Sequence, residues 1–244
     1  MKIPLHQIIE LFVWLLILGT GLCLPLYRFK YHVFFRSALF VKILMWLPIS
    51  SLFIGTLFLG ATSRWLILVA LVLVCSIEQW RVRRAIGHSP IWYFCLINVA
   101  LLHFALLGRY FGAEFVSILI TLCIASVLSD VVAFFFGRYL GRHFLPSSLN
   151  SGKSWEGVVG QLIGAFVGVI LVKWFVIAGI PFWLGFPIGL GSAAGDLTNS
   201  FVKRSLRIKD WSSFLPGHGG FTDRLSSLSG AAIILFYTLL IFDF

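Results

Sequence analysis

Long apolar runs separated by short basic loops constrain this chain more than any other feature. They fall at about 7–26, 38–60, 65–77, 91–107, 113–136, 157–178, 180–198 and 228–242. A bilayer core is crossed by about 20 residues of α-helix. The third run is short for that and reaches it by borrowing flanking residues such as Ile77 to Trp80. The expected fold class is therefore all-α: a polytopic integral membrane protein with about eight transmembrane helices, in a count of seven to nine. Composition agrees, because only 11% of residues are charged and 59% are hydrophobic, whereas soluble domains carry about 25% charged residues.

The basic residues give the orientation. Fifteen of the 19 Lys and Arg residues lie in the loops 27–42, 78–90, 137–156 and 199–227. The positive-inside rule then places those loops in the cytoplasm and both termini outside, with a bacterial inner (cytoplasmic) membrane as the expected location. The net charge of +10 thus reports topology and anionic lipid, and no nucleic-acid partner is expected. Arg81, Arg83 and Arg84 read as a topology determinant, with lipid headgroup contact as the lesser reading. Trp14, Trp46, Trp65, Trp80, Trp92, Trp174 and Trp183 are read as interfacial belts near segment ends. Cys23, Cys75, Cys95 and Cys123 sit inside apolar runs without CxxC spacing, so they are expected to be buried free thiols. The first apolar segment lacks a small-residue cleavage site and reads as a membrane helix rather than a signal peptide.

Chemistry concentrates near the C-terminus. Of nine acidic residues, Asp196, Asp210 and Asp223 fall within positions 195–224, with Lys203, Arg204, Lys209 and Arg224 beside them. Charge placed next to membrane-spanning sequence marks a functional site. Asp196 and Ser200 are one helical turn apart and share a face. With Asp223 they offer a metal set (Asp196, Ser200, Asp223) suited to Mg²⁺, which takes few protein carboxylates and completes its shell with phosphate oxygens. The surrounding cations can neutralise phosphates. Gly217, Gly219 and Gly220 around His218 let main-chain amides approach an anion. Upstream, Asp130 lies about seven residues inside a segment end and calls for a polar cavity or a cation. Gly137 and Gly141 permit a close backbone approach. Gly152-Lys153-Ser154 is no phosphate loop, because position 147 is Ser and no strand precedes it. Lys153 before a helix N-terminus still suits a phosphate, with Ser154 as a helix cap as the lesser reading. On residue chemistry alone, phosphoryl or nucleotidyl transfer, an ion-coupled transporter and a charged structural loop all stay open.

These residues also carry a resemblance. Ser200-Phe-Val-Lys203-Arg204, Lys209-Asp210 and Leu215-Pro-Gly-His-Gly-Gly-Phe-Thr-Asp223-Arg224 resemble the signature of the phosphatidate cytidylyltransferase (CDP-diacylglycerol synthase) family. Asp130, Gly137-Arg138 to Gly141 and Lys153-Ser-Trp-Glu156-Gly157 resemble its upstream elements. The match covers about 130–228. It implies an all-helical membrane enzyme, one integrated domain with residues 1–110 as N-terminal membrane helices and 111–244 as the catalytic region. It implies CTP and phosphatidate, or a related lipid phosphate, as partners and membrane lipids around them. Mg²⁺ is the implied cofactor, a second monovalent cation and a homodimer staying open. The implied catalytic set is Asp196, Asp223, Lys203, Arg204, Lys209 and Asp210. The implied substrate-binding set is Lys153, Ser154, Glu156, Arg138, His218, Gly219, Gly220, Arg224 and Asp130.

Three positions depart from the family pattern. Asn199 stands where an acid usually precedes the ligand Ser, Ser226 where a second Asp usually follows Asp-Arg, and Ser151-Gly152 where Ser-Pro is usual. They motivate two alternatives: a paralogue using another lipid acceptor, and a non-catalytic lipid-binding or transport protein on the same scaffold.

Overall fold

The structure, a computed structural model, describes residues 5–27, 30–58, 61–88, 90–147, 149, 152–215 and 219–242. Among these the chain folds into helices α1 (Leu5–Cys23), α2 (Tyr31–Phe34), α3 (Ala38–Phe58), α4 (Ala61–Ile86), α5 (Ile91–Tyr110), α6 (Phe115–Tyr139), α7 (Trp155–Phe175), α8 (Gly185–Ser205) and α9 (Phe221–Ile241). Short 3-10 turns cover Leu24–Tyr27 and Phe182–Leu184, and among the described residues two isolated β-bridges are the only extended pairings.

The protein is an all-α polytopic membrane protein. Seven of the described helices are long and apolar enough to cross a bilayer. The eighth long helix, α8, corresponds to the expected run at 180–198 but carries Asp196, Asn199, Lys203 and Arg204. It packs chiefly against α9 and α7, with Phe186, Leu190 and Phe201 left exposed on its outer face. Two runs extend beyond their apolar limits. α4 continues to Ile86 because Arg81, Arg83 and Arg84 are good helix formers that leave the apolar layer without breaking the helix. α9 begins at Phe221, not near 228, because its first turn is capped by acidic side chains described below.

Small residues draw the C-terminal helices together. α6 and α7 form the most extensive contact in the molecule. A Cβ at Gly164 would lie 2.4 Å from the Leu128 carbonyl oxygen, so only glycine allows that approach. Gly195 of α8 meets α9 in the same way, its would-be Cβ falling 2.1 Å from the Ser226 carbonyl oxygen. Gly141 lies beyond the end of α6, and there a Cβ would fall 2.3 Å from the Gly137 carbonyl oxygen of its own segment and 2.9 Å from the Ser154 hydroxyl. The resulting core joins Ile8 and Leu11 of α1 to Ile124, Val169, Ile188 and Leu235 of the C-terminal helices. Outward faces remain apolar, with Ile17, Leu66, Leu73 and Val99 exposed, as a lipid-facing surface requires.

Trp65, Trp92 and Trp174 are exposed close to helix ends and fit interfacial belts. Trp14 does not: it is exposed at the middle of α1, where it meets the bilayer interior. The Trp46 side chain lies outside the described residues. The four cysteines are free, but only Cys23 and Cys75 are buried; Cys95 faces outward on α5.

The four basic loops gather at one end of the bundle. Tyr139 at the end of α6 donates to the Leu22 carbonyl at the end of α1, at 3.4 Å. Lys153 pairs with Asp196, and Glu78 near the end of α4 accepts from the first amides of α9.

Candidate active site

Two lysine–aspartate pairs organise this end. In the first, Lys153 donates to Asp196 of α8. Gln161 of α7 donates to Asp196 Oδ2 at 3.2 Å and lies 3.4 Å from Asp130 Oδ1 of α6. The tight α6–α7 packing at Gly164 brings Asp130 and Gln161 into register. One amide thus joins two carboxylates, and Arg224 lies within electrostatic range of Asp130. The Lys153 and Asp196 side chains keep 28% and 27% of their surface exposed. This cluster can exchange partners with a ligand.

Lys153 is placed by its own loop. Leu145 N donates to Lys153 O at 2.8 Å and Trp155 N to His143 O at 2.9 Å. Glu156 accepts from the His143 ring at 2.6 Å, closing the ribbon. Ser154 caps α7, its Oγ accepting from Gly157 N at 3.1 Å.

In the second pair, Lys203 donates to Asp223 Oδ1 at 2.5 Å. Asp223 Oδ2 also accepts from Trp211 N at 2.8 Å and Gly220 N at 2.9 Å. Its side chain is fully enclosed, and Lys203 keeps only 14% exposure. The next two amides at the start of α9 go to Glu78: Oε1 accepts from Phe221 N and Oε2 from Thr222 N, each at 2.9 Å. Glu78 Oε1 also accepts from the Ser212 hydroxyl at 2.6 Å. Glu78 and Asp223 therefore satisfy and electrostatically stabilise the positive end of the α9 dipole.

Two of the three departures from the family pattern touch each other. Asn199 Nδ2 donates to Ser226 Oγ at 3.2 Å, and Asn199 Oδ1 accepts from Tyr93 OH at 2.8 Å and Trp211 Nε1 at 2.7 Å. Tyr93 and Trp211 stack at 5.6 Å with planes 8° apart. This buried neutral network is satisfied without a charge.

The structure brings together Asp130, Lys153 and Asp196 in one cluster, and Lys203, Asp223 and Gly220 in the other. Ser200 is buried one turn beyond Asp196. Arg138, Arg204, Lys209, Asp210 and Arg224 are exposed around them. Among the described residues no group of three His, Cys, Asp or Glu forms a metal cage. Two expectations change. The Gly219 amide donates to Leu215 O and the Gly220 amide to Asp223, so these amides are engaged within the loop and do not present themselves to an anion. Glu156 likewise holds His143. His218 and Gly217 lie outside the described residues. Sequence reasoning missed Glu78, Tyr93, Gln161 and Trp211. Glu78 carried a usable signal, since an acid next to an apolar run invites the reading given to Asp130; the others offered none.

The sequence profile of the cytidylyltransferase family matches residues 8–242. The chain belongs to that family. Among relatives, the phosphatidate cytidylyltransferase of Mycobacterium bovis is 39% identical over 114 residues, covering 45% of this chain and 37% of the relative. That of Mycobacterium leprae is 40% identical over 117 residues, covering 46% and 37%. That of Brucella abortus biovar 1 is 32% identical over 175 residues, covering 69% and 62%. The chain thus spans less than two thirds of the relatives it matches.

Proposed function

We propose that this member of the cytidylyltransferase family transfers a cytidylyl group from CTP to a lipid phosphate. Phosphatidate is the acceptor named for its relatives. An oxygen of the lipid phosphomonoester attacks the α-phosphorus of CTP, the α–β anhydride breaks and pyrophosphate leaves. The attacking group is already an anion, so no side chain has to remove its proton. The observation that carries this reading is the Lys153–Asp196–Gln161–Asp130 cluster: a partly open set of two carboxylates and a movable ammonium at the end of a membrane bundle.

The residues present fit a Mg²⁺ ion at Asp196, with Asp130 beside it, because Asp196 is partly exposed and its partners are a lysine and a neutral amide. Asp223 fits less well while Lys203 and two backbone amides occupy its carboxylate. When bound, the ion supplies charge neutralisation for the triphosphate. Lys153, on leaving Asp196, turns toward the phosphates and holds them in line. Arg224, exposed at the start of α9 near Asp130, adds positive charge where the pyrophosphate charge grows. Lys203 stays on Asp223 and holds α8 to α9. Alignment and charge neutralisation supply the catalysis. The loop charge bias supports a cytoplasmic orientation for this end of the bundle, the side on which CTP is present.

The test is an assay of the purified chain with labelled CTP, phosphatidate and Mg²⁺, resolving lipid products. CDP-lipid formation that requires CTP and stops on chelation is expected. No CDP-lipid from phosphatidate or from other lipid phosphates overturns the proposal.

A further inference from the structure

A cleft lies where α4 meets the start of α5, outside both lysine–aspartate clusters. Its outer part, about 400 Å³, is lined by Trp80, Arg83, Arg84 and Gly87. An inner part, about 140 Å³, shares Trp80 and Arg83 and adds Gln79, Ile91 and Phe94. Gln79 is 1% exposed, and neither its amide nitrogen nor its amide oxygen has a hydrogen-bond partner among the described residues. A buried amide left unmade on both sides is costly and points to a missing ligand.

The walls say what that ligand is. Arg83 and Arg84 occupy the last turn of α4, where the helix leaves the apolar layer, which is the depth of lipid phosphates. Arg84 stacks on Trp80 at 4.1 Å from the ring centroid, fixing both side chains at the mouth. Guanidinium forks match phosphate oxygens. Trp80, Ile91 and Phe94 are exposed beside them and offer an apolar flank for acyl chains. Gln79 requires one acceptor and one donor, which a phosphate oxygen and a headgroup hydroxyl supply together.

We propose that this cleft is a docking site for an anionic phospholipid with a hydroxyl-bearing headgroup, its phosphate held by Arg83 and Arg84 and its headgroup by Gln79. The site does not depend on the proposed transfer reaction. A phosphodiester lipid such as phosphatidylglycerol has no free phosphomonoester, so its binding is separable from acceptor binding at Asp196.

Native mass spectrometry of the full chain in dodecyl maltoside, titrated with short-chain phosphatidylglycerol, tests it. The expected result is one retained lipid, bound about tenfold more tightly than phosphatidylcholine, a difference suited to one charged recognition element. The R83A/R84A double variant should lose about tenfold in affinity, while an Arg36→Ala/Arg142→Ala control with the same charge loss changes less than about twofold. Gln79→Leu should weaken binding and yet raise the melting temperature of the lipid-free protein, because it removes the unpaired buried amide. Inorganic phosphate at millimolar concentration should leave the lipid in place. Equal binding of the two lipids, wild-type affinity in R83A/R84A, a lowered lipid-free melting temperature in Gln79→Leu, or displacement by inorganic phosphate each overturns the assignment.

Discussion

The two lysine–aspartate pairs use the same chemistry for different ends. Lys153–Asp196 is about a quarter exposed, and its other contact is the Gln161 amide that also approaches Asp130. Lys203–Asp223 is enclosed, with two backbone amides completing the carboxylate. An exposed pair gains little from its own attraction and is readily exchanged. An enclosed pair costs much to break, because the surviving charge stays buried. The contrast separates a pair that can open onto a ligand from one that holds α8, α9 and the intervening loop together.

The strongest way to break the comparison is to neutralise each acid in turn. Asp223→Asn leaves Lys203 unpaired and should cost about 3 kcal/mol of stability, seen as an early thermal transition in circular dichroism, with activity lost alongside. Asp196→Asn should leave the melt near wild type and lower the rate of CDP-lipid formation by about a hundredfold or more. Equal melting shifts in the two variants contradict the division. Next in size, Glu78→Ala strips two amides of α9 and the Ser212 hydroxyl of their acceptor and should cost about 2 kcal/mol, with Glu78→Gln recovering part of it; an unchanged melt denies Glu78 its place in the brace. Lys153→Ala should raise the KM for CTP about tenfold while the protein melts as wild type, whereas a change confined to stability assigns Lys153 to the fold. The smallest effect is Ser226→Ala, which removes one neutral hydrogen bond from Asn199 and should cost about 1 kcal/mol. A larger loss of activity than of stability at Ser226 places the Asn199 network in the chemistry instead.

The helices were legible because a membrane-spanning segment must be apolar along its length, and all eight long helices correspond to apolar runs. Their ends were less so, since α9 starts where Glu78 and Asp223 cap it, and Glu78 is 143 positions from Phe221 in sequence. Asp130, Lys153, Asp196 and Asp223 stood out as charges beside hydrocarbon-like sequence. Which lysine meets which acid was not readable, because that depends on how closely α6 approaches α7 and α8 approaches α9. The enclosure of Asp223 was hidden for the same reason: its donors include the main-chain amides of Trp211 and Gly220, and every residue except proline carries one. Asn199 and Ser226 looked like separate losses of charge, whereas the fold places them in one hydrogen-bonded network with Tyr93 and Trp211.

The central claim is that Asp196, and not the enclosed Asp223, is the carboxylate open to a cation. Electron paramagnetic resonance of Mn²⁺, added with CTP to wild-type protein and to Asp196→Asn at a temperature where both are folded, measures it directly. The account predicts a bound-Mn²⁺ signal in the wild type that is lost in Asp196→Asn. Undiminished Mn²⁺ binding by Asp196→Asn contradicts it.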